Sequence, residues 1–200
     1  MNARRNAWSI VVALVLVSAG TALRAQQAAA PPAPATAAAP MPAPAVGDAA
    51  PDFSAPGADQ NGAAAQPVSL SGLKGKVVVL AFYPKDRSSG CTAELTKFRD
   101  EYDKIFAQGT VVLPISLDDV ASHEGWAKDA HFPFTLVSDA GGKIATQYGS
   151  ITPGKYWANR TVFVIGRDGK IAYQDLRFGA LDQHAYDALA AAVRAAQGGQ

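Results

Sequence analysis

A single cysteine, Cys91, stands among the 200 residues, in the run Phe82-Tyr83-Pro84-Lys85-Asp86-Arg87-Ser88-Ser89-Gly90-Cys91-Thr92-Ala93-Glu94. A lone cysteine is most often a small buried hydrophobe, so its surroundings must argue for anything more. A thiolate, unlike a thiol, is a strong nucleophile, and it is favoured where unpaired backbone N–H groups and the positive end of a helix dipole offset its charge. Ser88 offers a hydroxyl three residues before the sulfur, able to cap a helix or to hold a substrate oxygen; Ser89 is a second cap candidate.

Two elements must position this sulfur. Residues 76–83, Lys-Val-Val-Val-Leu-Ala-Phe-Tyr, are a nearly unbroken apolar run of strand length, as in a central strand buried on both faces. Pro84 and the Ser-Ser-Gly turn end it. Beyond the cysteine, Ala93, Leu95, Phe98, Tyr102, Ile105 and Phe106 recur at helical spacing, Asp100 and Lys104 pair four apart on the wet face, and Gly109 supplies the stop. Cys91 is therefore expected in the first turn of a helix that follows a buried strand, where backbone N–H groups lack intrahelical partners.

Pro84, Ser88 and Cys91 fill the pattern P-x-x-x-[T/S]-x-x-C. On these residues, with the flanking Phe-Tyr-Pro-Lys-Asp and Gly-Cys-Thr-x-Glu, residues 47–197 resemble the peroxiredoxins of the alkyl hydroperoxide reductase and thiol-specific antioxidant group, and most of all the branch called bacterioferritin comigratory protein or peroxiredoxin Q. The resemblance implies an α/β, thioredoxin-like fold in one domain, a central mixed β-sheet flanked by helices. It also carries over an arginine entering a later strand, which is Arg160 in Asn159-Arg160-Thr161-Val162-Phe163-Val164-Ile165. The chain departs from that branch at Ser89, where proline is usual, and at Thr96, where many members carry a resolving cysteine. With no second cysteine, no intramolecular disulfide can form.

What the resemblance implies chemically is a thiol-dependent peroxidase of one-cysteine type. Cys91 attacks a hydroperoxide and becomes a sulfenic acid, Ser88, Arg160 and the backbone N–H of Cys91 hold the peroxide oxygens, and Pro84 shields the oxidised sulfur. No cofactor is called for. Recycling then needs an external thiol, from a thioredoxin-like protein, glutathione or another small thiol, or a disulfide between two copies of a homodimer. Two rival readings stand beside this one. A thioredoxin-type thiol–disulfide oxidoreductase of the envelope is disfavoured because the C-x-x-C partner position is Glu94. A catalytically inactive binding module is disfavoured by intact Ser88 and Arg160.

The other elements follow in order. Residues 47–53 and 68–70 read as short edge strands or a hairpin; residues 110–116 read as a second buried strand, and Ser122 as the cap of a helix through Trp126 to about Ala130. Residues 134–138 begin a further strand, and 142–148 are a short helix ended by Gly149. Residues 161–165 and 170–175 are strands around the Asp168-Gly169 turn. Leu181, Ala185, Ala188, Leu189, Ala192 and Val193 place one apolar stripe on a closing helix that Asp182 can cap. Alternating strand and helix predict a parallel core with right-handed crossovers.

The first 25 residues read as an export signal: Arg4 and Arg5, an apolar core from Ile10 to Val17, then small residues with cleavage after Ala22 or Ala25. An uncleaved anchor is the alternative, and only then would the domain be tethered to a membrane. Either way it is expected outside the cytoplasm, in the bacterial periplasm or envelope. Residues 26–46 are almost entirely alanine and proline and read as an extended linker. All 17 acidic residues follow it and three of the 18 basic ones precede it, leaving a net charge of about −2 that argues against a nucleic-acid partner. His123-Glu124 opens like a zinc-protease motif but has Ala127 where the second ligand belongs, and the three histidines are scattered, so no metal site is expected. Asp118-Asp119 reads as a capping and solvated pair, the sequon at Asn159 as chance, and Trp126, Tyr156 and Trp157 as packing residues rather than a substrate mouth.

Overall fold

The computed structural model describes residues 42–198; the expected export signal and most of the Ala/Pro segment lie outside the described residues. Ala43 lies against the core, and Gly47 N–H donates to the Ile171 carbonyl at 2.8 Å. Short strands β1 (Ser54–Ala55), β2 (Gly57–Asp59), β3 (Gly62–Ala63) and β4 (Val68–Ser69) come first, in a β1·β4 pair and a β2·β3 hairpin. The expected strand at 47–53 is reduced to one bridge, Ala49 to Lys170, because Pro51 interrupts it.

The centre is β5 (Val78–Phe82), whose five side chains are all buried. It leads into α1 (Ser89–Asp100) and α2 (Tyr102–Ile105), then β6 (Val111–Ser116), α3 (Val120–Ala130), β7 (Leu136–Ser138) and α4 (Lys143–Gln147), and finally β8 (Thr161–Ile165), β9 (Ile171–Asp175) and α5 (Gln183–Ala196). The main sheet runs β3-β2-β7-β6-β5-β8-β9, with β5, β6 and β7 parallel and the other pairs antiparallel. Side chains alternate along β5, so Val79 and Ala81 join one core with Leu95, Phe98 and Leu189, while Val78, Leu80 and Phe82 join another with Phe163, Ile144 and Tyr148. This mixed sheet with helices over it is the expected thioredoxin-like α/β arrangement.

Several local expectations are corrected. The predicted helix after Cys91 breaks at Glu101, whose φ and ψ are −110° and 26°. In a continuous helix Phe98 and Phe106 would be about 12 Å apart along the axis; the break brings their rings to 5.1 Å. Lys104 pairs with Glu101 rather than Asp100, which takes Arg99 instead. Asp119, not Ser122, caps α3, accepting from the Ser122 N–H at 2.8 Å. Asp182 caps α5 as expected, but Leu181 precedes that helix and is 87% exposed, and Ala188 is exposed too; Tyr186 and Ala190 fill the buried stripe in their place. Among the described residues no helix is long and apolar enough to cross a membrane.

Candidate active site

Cys91 is the third residue of α1. The first intrahelical bond runs from the Thr92 N–H to the Ser88 carbonyl at 2.8 Å, so the N–H groups of Ser89, Gly90 and Cys91 have no partner within the helix. The sulfur is wholly buried in the core cluster that β5 and α1 share. Register brings the arginine to it: Phe82 lies opposite Thr161 in the antiparallel β5·β8 pair, so Arg160 flanks the strand end from which the cysteine loop departs. Arg160 Nη2 donates to Cys91 Sγ at 3.3 Å, and Nη1 is paired with Glu94 Oε2. Glu94 is wholly buried, and its Oε1 has no hydrogen-bond partner. A side chain at Gly90 would place its Cβ 3.2 Å from Arg160 Nη2, so glycine keeps the guanidinium in reach of the sulfur.

Ser88 occupies the N-cap position of α1 without capping it, and its hydroxyl donates to the Lys85 carbonyl at 3.0 Å. Pro84 lines an open cleft of about 480 Å³ together with Trp157, Arg160, Leu176, Arg177 and Phe178. A neighbouring recess is lined by Pro84, Tyr156 and Trp157. Trp126 packs in the core as expected, whereas Tyr156 and Trp157 are 88% and 45% exposed, Trp157 bordering the cleft and Tyr156 the recess beside it. Of the four residues singled out, Cys91 and Arg160 are in direct contact, Pro84 shares the cleft with Arg160, and Ser88 stands three residues from the sulfur with its hydroxyl engaged elsewhere.

Sequence reasoning missed Glu94 and a network behind the loop. Glu94 had a signal: i,i+3 spacing puts it on the same helix face as Cys91. Behind the loop, Asp86 accepts from the Tyr83 and Ser122 hydroxyls at 2.7 Å each and lies 2.9 Å from His123 Nδ1. Burial pushes the Asp86 carboxyl up, but the hydrogen bond and charge of His123 and the two hydroxyls outweigh it and hold it below the ordinary carboxylate value. Burial, reinforced by Asp86, raises Tyr83 well above the phenol value, so its hydroxyl keeps its proton and donates. His123 thus serves a carboxylate, and among the described residues no cluster of three or more histidine, cysteine or acidic side chains is placed to hold a metal.

Comparison with known proteins agrees with this geometry. Residues 46–174 match the model of the AhpC/TSA family. The chain is 41% identical over 130 residues to chloroplastic peroxiredoxin Q of Oryza sativa subsp. japonica, covering 64% of this chain and 57% of that protein. It is 40% identical over 133 residues to a putative peroxiredoxin bcp of Coxiella burnetii, covering 64% and 85%. The crystal structure of the peroxidoxin BcpB from Mycobacterium tuberculosis superposes with a TM-score of 0.63 at 33% identity, over 75% of this chain and 96% of that one. The matched region spans a little over half the length of the plant relatives. With the P-x-x-x-S-x-x-C loop on a thioredoxin-like sheet and an arginine on its sulfur, the chain belongs to the AhpC/TSA family, on its peroxiredoxin Q/bcp branch and without a resolving cysteine.

Proposed function

We propose that the protein is a thiol-dependent peroxidase that reduces hydrogen peroxide and organic hydroperoxides through Cys91. The observation that carries the reading is the hydrogen bond from Arg160 Nη2 to the buried Cys91 Sγ at a helix start. The thiolate attacks the terminal peroxide oxygen, forming an S–O bond as the O–O bond breaks. Sulfur is oxidised by two electrons to the sulfenic acid, and the other oxygen leaves as water or an alcohol after taking a proton. Arg160 and the free N–H groups of the first turn offset the charge on the leaving oxygen; rotation of Ser88 away from Lys85 would add its hydroxyl. Pro84 limits water at the oxidised sulfur. An external thiol then displaces water from the sulfenic acid to give a mixed disulfide, and a second thiol releases the cysteine. The charged n-region and short apolar core at the chain start support export to the envelope.

The test is peroxide consumption with a thiol supply, in the protein and in Cys91→Ser. The variant is expected to fold normally and to consume nothing; retained turnover in it would end the proposal.

A further inference from the structure

The loop between β5 and α1 carries Pro84 and Ser88, and midway between them Asp86 turns inward, only 6% exposed. Three donors hold its carboxylate. The Tyr83 hydroxyl reaches Oδ1 at 2.7 Å; the Ser122 hydroxyl and His123 Nδ1 reach Oδ2 at 2.7 and 2.9 Å. Its own N–H donates to Asp118 Oδ2 at 2.9 Å, so main chain and side chain both tie the loop to the first turn of α3 and the segment leading into it. The other nitrogen of the wholly buried His123, Nε2, faces the Val137 carbonyl at 3.3 Å. A carboxylate can only accept, so His123 Nδ1 supplies the proton of its bond to Asp86, and the two side chains are a buried hydrogen-bonded pair.

Stability alone is a poor reason for such a pair, because apolar side chains of similar volume usually serve as well or better. Neither partner hydrogen-bonds to Cys91. What they fix is the backbone of residues 84–88. Within it Arg87 holds φ at +58°, a conformation that a side chain of its kind rarely adopts, while its guanidinium is about half exposed and paired only with Asp129 at the surface. Nothing in Arg87 favours that turn, so its neighbours impose it. We infer that the buried Asp86–His123 pair is a clamp that holds the loop of Pro84 and Ser88 in its peroxide-reactive conformation, both being positioning residues rather than catalytic ones. The inference rests on the peroxidase reading.

Two reactions of one sulfur test it in the full chain: oxidation by hydrogen peroxide, which needs the loop arranged, and alkylation by iodoacetamide, which needs the thiolate within reach but not the arranged loop. Both rates are measured in the unchanged protein, Asp86→Asn, His123→Gln and the double variant, with near-ultraviolet circular dichroism reporting the folded fraction. Each single variant is expected to oxidise about 10-fold or more slowly, since small misplacements at a reacting centre carry costs of that order, and to alkylate faster because the loop opens. The double variant, which leaves neither partner buried without the other, is expected to oxidise faster than either single one. Oxidation within about twofold of the unchanged protein in both single variants would overturn the clamp. So would a parallel fall of both rates that tracks loss of folded protein. If the unchanged protein does not react with peroxide, the peroxidase reading fails, and alkylation alone decides the clamp: faster in both single variants keeps it, unchanged removes it.

Discussion

At the scale of residues, one guanidinium serves two buried groups, and that doubling makes Arg160 hard to replace. Lysine keeps a charge but lacks the planar fork that reaches Cys91 and Glu94 together. Arg160→Lys is therefore expected to slow Cys91 oxidation, measured by stopped flow, with a modest loss of stability. Arg160→Gln leaves the buried Glu94 carboxyl without its cation and is expected to cost about 3–5 kcal/mol in urea unfolding. The Asp86 carboxyl supplies a prediction of opposite sign to simple desolvation. Its value is depressed despite burial, because His123, Ser122 and Tyr83 hydrogen-bond to the anion. A carboxyl depressed in the folded state adds stability that is fully present above the unfolded value of about 3.9 and is lost as pH falls through the folded value. The unfolding free energy of the protein should thus exceed that of Asp86→Asn at pH 7, with the gap closing below about pH 4. A gap that stays constant from pH 7 to pH 3 would contradict the assigned ionisation. Cys91 was legible in the sequence because a short motif marks it, and Arg160 because the family resemblance carries an arginine to the entry of a later strand. The pairing of Asp86 with His123 and of Glu94 with Arg160 was not, since these partners lie 37 and 66 residues apart and only the packed register joins them.

Elements were legible where one local signal dominates. The all-apolar β5, the Asp-Gly turn between β8 and β9 and the cap of α5 each need only a few neighbouring residues. Misreadings came where two local signals compete. Pro114 sits within a central strand without breaking its ladder. The Val111 N–H donates to the Val77 carbonyl and the Ile115 carbonyl accepts from the Tyr83 N–H, at the two ends of β5, so the proline nitrogen turns to the other side, where β7 pairs only with Ile115 and Ser116. At the start of α3 both Asp119 and Ser122 can cap, and tertiary structure decides: the Ser122 hydroxyl is drawn to Asp86, leaving Asp119 to the helix. Asp119→Ala should consequently lower stability by about 1 kcal/mol, the usual worth of a cap, measured by urea unfolding. If the loss followed Ser122→Ala alone, the cap would belong to Ser122.

For the whole molecule, the decisive facts are that Cys91 is the chain's only cysteine and that its sulfur is wholly buried. A disulfide needs two Cα atoms within about 7 Å of each other. Two copies cannot join their Cys91 sulfurs while that side chain stays buried in the core beneath Arg160. Small molecules meet a different geometry, because Arg160 both contacts the sulfur and lines the open cleft. Oxidation by small peroxides should therefore outpace any joining of two chains. With one equivalent of hydrogen peroxide and no thiol, intact mass is expected to show a monomer heavier by one oxygen, trapped by dimedone as the sulfenic acid. Excess peroxide should add further oxygens, and a small thiol present from the start should prevent this by forming a mixed disulfide. A disulfide-linked dimer appearing as fast as the sulfenic acid would mean that the first turn of α1 opens readily, and that a second copy, not an external thiol, resolves the cysteine.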